Sequence, residues 1–156
     1  TSVINGGVDA DNIFILQGAG RAATLETIIF NPGDSVAATE FVSFTPKGPK
    51  AVFGNRVDNI SGFSSGSDKV DINFAPPATI NQFSPILDSG KLLEAGTITE
   101  LKGTFTFENN EFLFEGTGSD YLYVVGGENL NIEQTLTSSS NMFVSVGSKL
   151  SIGDFV

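Results

Sequence analysis

The chain has 156 residues, eighteen Asp and Glu against eight Lys and Arg, a formal charge of −10, and neither histidine nor cysteine. Those absences exclude Ser-His-Asp and Cys-His catalysis, the usual zinc centres and disulfides. Scattered bases in an acidic chain also argue against nucleic acid, whose phosphates need clustered Lys and Arg.

Eighteen glycines, fourteen phenylalanines and no tryptophan favour a β-rich fold with frequent turns, in a chain long enough to bury a core as one domain. No apolar run approaches the ~18–20 residues of a membrane span. Carboxylate-pair chemistry such as glycoside hydrolysis stays formally open. No Asp/Glu pair sits in a setting that would raise one carboxyl, so no enzyme is expected.

In chain order the first half reads as short strands at Ile13–Gln17, Thr27–Phe30, Glu40–Phe44, Val57–Ile60 and Lys69–Asn73. Turn-rich "NPGD" (31–34), "TPKGPK" (45–50) and "FSSGSD" (63–68) separate them. Pro76-Pro77 breaks any ladder, so residues 75–85 should cross between sheet regions, with a sub-boundary there. Residues 84–102 are the one helical candidate: Ser84-Pro85 can cap and open a helix, and Thr97 to Glu100 has capping-box spacing. Gly90 and Gly96 limit any helix to a turn or two. Strands then resume with a phenylalanine hairpin, Tyr121–Val125, Leu130–Thr135, Met142–Val146 and Leu150–Ile152. The expected class is all-β: a β-sandwich, jelly roll or short β-roll, with at most one or two short helical turns near 84–102.

The hairpin is "GTFTFENNEFLFE" at 103–115. A two-residue Asn109-Asn110 turn suits type I′, which needs φ > 0 at both central residues. It would oppose Glu108 to Glu111, Phe107 to Phe112 and Phe105 to Phe114, with all four rings on one face. That face is either core or a subunit interface, and ordinary burial preferences favour core.

Three stretches share an acidic turn: "GGVDADNIF" (6–14), "GSDKVDI" (66–72) and "GTGSDYLYV" (116–124). Each places an Asp (Asp11, Asp68, Asp120) two residues before an apolar strand residue (Ile13, Val70, Leu122). Glycine lets backbone carbonyls curl inward while the Asp offers a charged oxygen, as a hard cation requires. The alternative is an ordinary Asx-turn leading into a strand. Asp9 and Asp71 flank two of these turns, so the candidate metal ligands are Asp9, Asp11, Asp68, Asp71 and Asp120.

These turns resemble the glycine-rich nonapeptide of RTX proteins, which bind Ca²⁺ in a parallel β-roll. Asp9 stands where the third glycine of that repeat would be, and the turns are too far apart for a sequential stack. "NRVDNISGFSSGSDKVDINF" (55–74) is similar to the segment that follows the roll in type I-secreted proteins, through Asp58, Ile60, Phe63, Gly66, Asp68, Val70, Asp71 and Ile72. The ending "SIGDFV" resembles the termini of several such substrates, and no leader is visible at Thr1. The resemblance implies an extracellular or cell-surface bacterial protein, exported by the type I route and folding in calcium. It implies a structural protein that self-assembles in an S-layer, filament or biofilm matrix. The alternatives are a carbohydrate-binding or adhesive domain, with Tyr121 and Tyr123 on surface polysaccharide, or the inactive secretion tail of an enzyme.

Overall fold

The structure, a computed structural model, describes residues 2–7, 9–15, 26–31, 37–72, 76–77, 79–126, 128–138 and 141–156. It is all-β. The strands are β1 (Ser2–Asn5), β2 (Asn12–Phe14), β3 (Glu26–Ile29), β4 (Glu40–Val42), β5 (Lys50–Val52), β6 (Asn59–Ser61), β7 (Lys69–Asp71), β8 (Ile80–Gln82), β9 (Ile98–Thr106), β10 (Glu111–Phe114), β11 (Asp120–Val125) and β12 (Asn141–Val146). The described residues also include a short α-helix, α1 (Ile132–Leu136), and a 3₁₀ turn at Ile152–Asp154.

The strands form two sheets. The smaller runs β1-β3-β7, all parallel, and Phe155 adds a parallel bridge to Val70 at its far edge. The larger has nine strands, β2-β6-β12-β11-β9-β10-β5-β4, with β8 parallel to β9. Followed along the chain, β1, β3, β7 and Phe155 fall in the small sheet, while β2, β6 and β12 fall between them in the large one. The chain is thus a parallel coil that alternates between two facing sheets. Two excursions interrupt it, β4–β5 and then β8–β11 with α1, and these build the antiparallel half of the large sheet.

Both faces of the large sheet are covered. Between the sheets lie Ile13, Ile28, Phe30, Ile60, Val70, Tyr123, Phe143 and Phe155. On the outer face Leu101, Phe112, Phe114, Leu122, Val124 and Val144 pack with Ile132 and Leu136 of α1. A strand buried on both faces has no polar side to show, so β11 reads "DYLYVV" without an alternating pattern.

Several expectations meet corrections. The hairpin pairs Phe112 with Phe105, Phe114 with Gly103 and Glu111 with Thr106, so its loop has four residues, Phe107 to Asn110, rather than two. Only Asn110 of the asparagine pair has positive φ, at 50°. The cause is β5, which fixes β10 from its other side by setting Phe112 against Ala51 and pairing Lys50 with Glu111 at 3.2 Å. A slip of two residues preserves facing. Phe105, Phe112 and Phe114 are therefore buried as expected, whereas Phe107 is 44% exposed and rests edge-on against Phe105.

Leu130–Thr135 is not a strand. Asn131 caps α1 through the Gln134 amide, and the Gln134 side chain accepts in return from the Asn131 amide. The 84–90 segment makes hydrogen-bonded turns, with Asp88 N–H bonded back to the Ser84 carbonyl, and Ile98 to Glu100 open β9 instead of a helix. The crossing at the proline pair carries the chain from β7 in one sheet to β8 in the other. Leu150 and Ser151 lead into the 3₁₀ turn instead of a strand. The expected strand ends at Leu16, Gln17 and Asn73, and most of "NPGD", lie outside the described residues.

Candidate functional site

A parallel coil brings equivalent residues of successive turns side by side on one edge. The β2–β6 register places Asp11 beside Asp58, and the β3–β7 register places Glu26 beside Asp68. In each pair the acid of the later coil grips the backbone of the earlier one. Asp58 Oδ1 accepts the Asp11 N–H at 2.7 Å. Asp68 Oδ1 accepts the Glu26 N–H at 3.1 Å, and its Oδ2 accepts the Ser64 N–H at 2.7 Å. The last coil repeats the device, since Asp154 Oδ1 accepts from Gly66 N–H at 2.7 Å and Oδ2 from the Ser65 hydroxyl at 2.6 Å and Ser151 N–H at 2.8 Å. Burial alone would raise the Asp154 carboxyl, but the Ser65 hydroxyl and the Gly66 and Ser151 amides outweigh it and hold it below the usual carboxylate range.

Asp120 clasps the antiparallel half in the same way, accepting from Phe105 N–H and Gly147 N–H at 2.8 Å each. The apolar residues two places on, Ile13, Val70 and Leu122, are all buried as expected of strand anchors. The five candidate ligands do not come together. Asp9 and Asp11 lie in the turn before β2, Asp68 and Asp71 lie at β7, and Asp120 heads β11. Among the described residues no three carboxylates converge on a position that could hold a metal ion. Two further clasps, Asp58 and Asp154, were not among the candidates. Both stand in the segments that carry the family resemblance, but their partners lie 47 and 88 residues away, where spacing gives no hint.

Among the described residues the ladder of clasps ends at Asp11, because no described strand lies beyond β2 in its sheet. There the structure leaves acceptors unused: Asp11 Oδ2 and Asn59 Oδ1 are buried without hydrogen-bond partners, as is Glu26 Oε2 on β3 of the small sheet. Asn59 is only 2% exposed, and its amide nitrogen donates to Asn12 Oδ1 and to the Val57 carbonyl. The Asp11 carboxylate rests directly on Gly6, where any Cβ would overlap it. Orphaned buried acceptors are rare because each forfeits its hydration. Oxygen from a carboxylate and an amide is the donor set a hard cation takes. Asp11 Oδ2 and Asn59 Oδ1 are each of that donor type, but the β2–β6 register sets Asn59 against Asn12 and Asp58 against Asp11, so the two oxygens are not brought to one position.

Among the described residues nothing pairs with the outer edges of β1 or β2. Val3 and Phe14 on these strands are 68% and 63% exposed. No protein-family model matches the sequence, and no curated protein is significantly similar to it.

Proposed function

We propose that the chain is a calcium-dependent structural module of the bacterial cell surface or extracellular matrix, which self-associates through the open end of its parallel coil. The observation that carries this reading is the termination at β1 and β2. Among the described residues these two strands have nothing paired on their outer edges and carry exposed Val3 and Phe14, beside Asp11, whose Oδ2 is buried and unpartnered. Unpaired edges with apolar side chains are templates for further strands, and proteins that stay monomeric blunt them with charge or cover them. Two copies meeting about a two-fold axis would pair like edges, a self-complementary contact. Calcium at the Asp11 carboxylate would satisfy its orphaned oxygen and relieve the self-repulsion of a −10 chain. The resemblance to type I-secreted surface proteins supports the location.

Sedimentation velocity in about 5 mM CaCl₂ and in excess chelator tests the reading, since calcium that binds only the assembling state shifts the equilibrium by mass action. Assemblies are expected in calcium, with dispersal in chelator. Lysine at both Val3 and Phe14 should abolish them while leaving the circular dichroism spectrum intact. A wild-type protein that stays monomeric in both buffers would refute the proposal.

A further inference from the structure

A groove lies on the large sheet, where its inner face extends past the cover of the small one. The registers set Gln82 against Glu100, and Lys102 against Tyr121, so β8, β9 and β11 together form the floor. The turn at Phe83 to Asp88 walls one side and the strap from Lys149 to Ile152 the other. The groove has two adjoining lobes of about 460 and 400 Å³ that share Gln82, Glu100 and Lys149. That is within the range of small-molecule sites.

Its polar groups are held in place. Glu100 is 5% exposed, with Oε2 accepting from the buried Tyr123 hydroxyl at 2.8 Å and Oε1 3.4 Å from Lys149 Nζ. The Tyr123 hydroxyl accepts in turn from Leu150 N–H at 2.7 Å, which ties the strap to the floor. Burial first, and then the neighbouring Glu100 charge, raise the Tyr123 phenol far above its ordinary range, so it stays a donor. Asp88 accepts from Ser84 N–H at 2.8 Å and from Lys91 at 3.1 Å, and this keeps it below the usual carboxylate range. Tyr121 is half-buried, is backed by Tyr123 at 6.4 Å between centroids, and has Lys149 Nζ 6.0 Å from its own ring centroid. Lys102 is exposed and has no ion pair among the described residues.

We propose that this groove binds one or two neutral pyranose units of a glycan, packed on the Tyr121 ring and hydrogen-bonded by Gln82, Lys102, Lys149, Glu100 and Asp88. A sugar hydroxyl both donates and accepts, so a saccharide needs both functions within reach. The groove supplies ammonium and amide donors beside carboxylate and amide acceptors. The lining carries two lysines and two carboxylates, with Lys91 on Asp88 at the rim, so the groove is within about one charge of neutral and does not strongly select an ionic ligand. A pyranose also has an apolar face for a partly exposed aromatic ring. The fixed Glu100–Tyr123–Leu150 chain limits the ordering cost that binding would otherwise carry. The site is independent of the open coil end, because β6 and β12 separate β2 from β11 in the sheet.

The probes are cellotetraose, maltotetraose, laminaritetraose, mannotetraose and galactotetraose, with trigalacturonate as the charged comparator. Binding is read by saturation-transfer NMR and by tyrosine fluorescence, which is usable because the chain has two tyrosines and no tryptophan. At least one neutral glycan should bind with Kd of about 10–500 μM, in the range a small polar interface gives. Tyr121→Ala should weaken it at least ~10-fold and Lys102→Met about 5-fold, whereas Tyr121→Phe should stay within ~2-fold because the ring is retained. Denaturation midpoints of the variants confirm that the fold is intact. The proposal is overturned if no neutral glycan saturates below about 5 mM, if trigalacturonate binds more tightly than all of them, or if Tyr121→Ala leaves affinity unchanged.

Discussion

Asp68→Ala tests whether the turn acids hold the coil together by themselves. Asp68 is fully buried, and its two oxygens accept from Glu26 N–H in the neighbouring coil and Ser64 N–H in its own turn. A hydrogen bond to a charged group contributes about 1.5–3 kcal/mol, and an amide left unpaired in the interior costs a comparable amount. Glu26 and Ser64 are both half-buried. Water will partly reach the freed amides, so the expected loss is about 2–4 kcal/mol out of the roughly 5–15 kcal/mol of an ordinary domain. With a urea slope of about 2 kcal/mol/M, the midpoint should fall by roughly 1–2 M at constant slope. Asp68→Asn keeps one acceptor but turns an NH₂ toward the other amide, so it should recover only part of the loss. The assay is urea unfolding followed by circular dichroism, in calcium and in chelator. Because the carboxylate serves backbone amides in either buffer, the loss should be the same in both. A loss confined to calcium would show that Asp68 acts as a metal ligand and that the clasp account is wrong, and a midpoint unchanged in both buffers would refute it equally.

Phe112→Ala should cost ~3–5 kcal/mol because the ring is fully buried, whereas Phe107→Ala, at the half-exposed hairpin tip, should cost under ~1 kcal/mol. Urea midpoints of the two variants separate them, and similar losses would contradict the observed register. Asp154 is held below its ordinary value of 3.8, so its folded state favours the ionised form. Its contribution should be complete above that value and disappear as pH falls through it toward the lower folded value. Asp154→Asn should therefore lose stability at pH 7 and show a shallower acid decline in Tm. Gly6→Ala would drive a methyl into the Asp11 carboxylate. It should remove any calcium-dependent rise in Tm and cost about 1–3 kcal/mol besides, as measured by calorimetry with and without calcium.

The strands legible in the sequence were those whose signal is local. Glu40–Val42, Tyr121–Val125 and Met142–Val146 carry runs of β-forming residues between turn residues, and they lie where expected. The hairpin existed as read, but its register was decided by Ala51 and Lys50, residues that no inspection of 103–115 could weigh. At α1 two periods compete. Leu130 and Ile132 alternate as in a strand, while Ile132 and Leu136 are spaced as on a helix. The Asn131–Gln134 capping box was the signal that could have decided it. Strands β1, β5 and β8 have only three or four residues and take their shape from neighbours. The acidic turns were visible as a recurring pattern, yet the use of Asp68 and Asp120 as clasps was not, because they grip amides 42 and 27 residues away.

The interrupted coil also bears on how the chain can reach this state. Neighbouring turns are joined by bonds such as Asp58 to Asp11, 47 residues apart, and Ser65 to Asp154, 89 residues apart. A solenoid of short repeats can grow turn by turn, since each new turn finds its predecessor a few residues upstream. Here an entire excursion must be laid down before the next turn has anything to rest on, and loop closure of that length precedes any reward from contact. Phe155 and Val156 then seal the small sheet on Val70. Folding should therefore be slow, and the small sheet should close only once Phe155 and Val156 reach Val70. A chain released progressively from a ribosome would hold its early coils open until the excursion that separates them from their partners has been laid down.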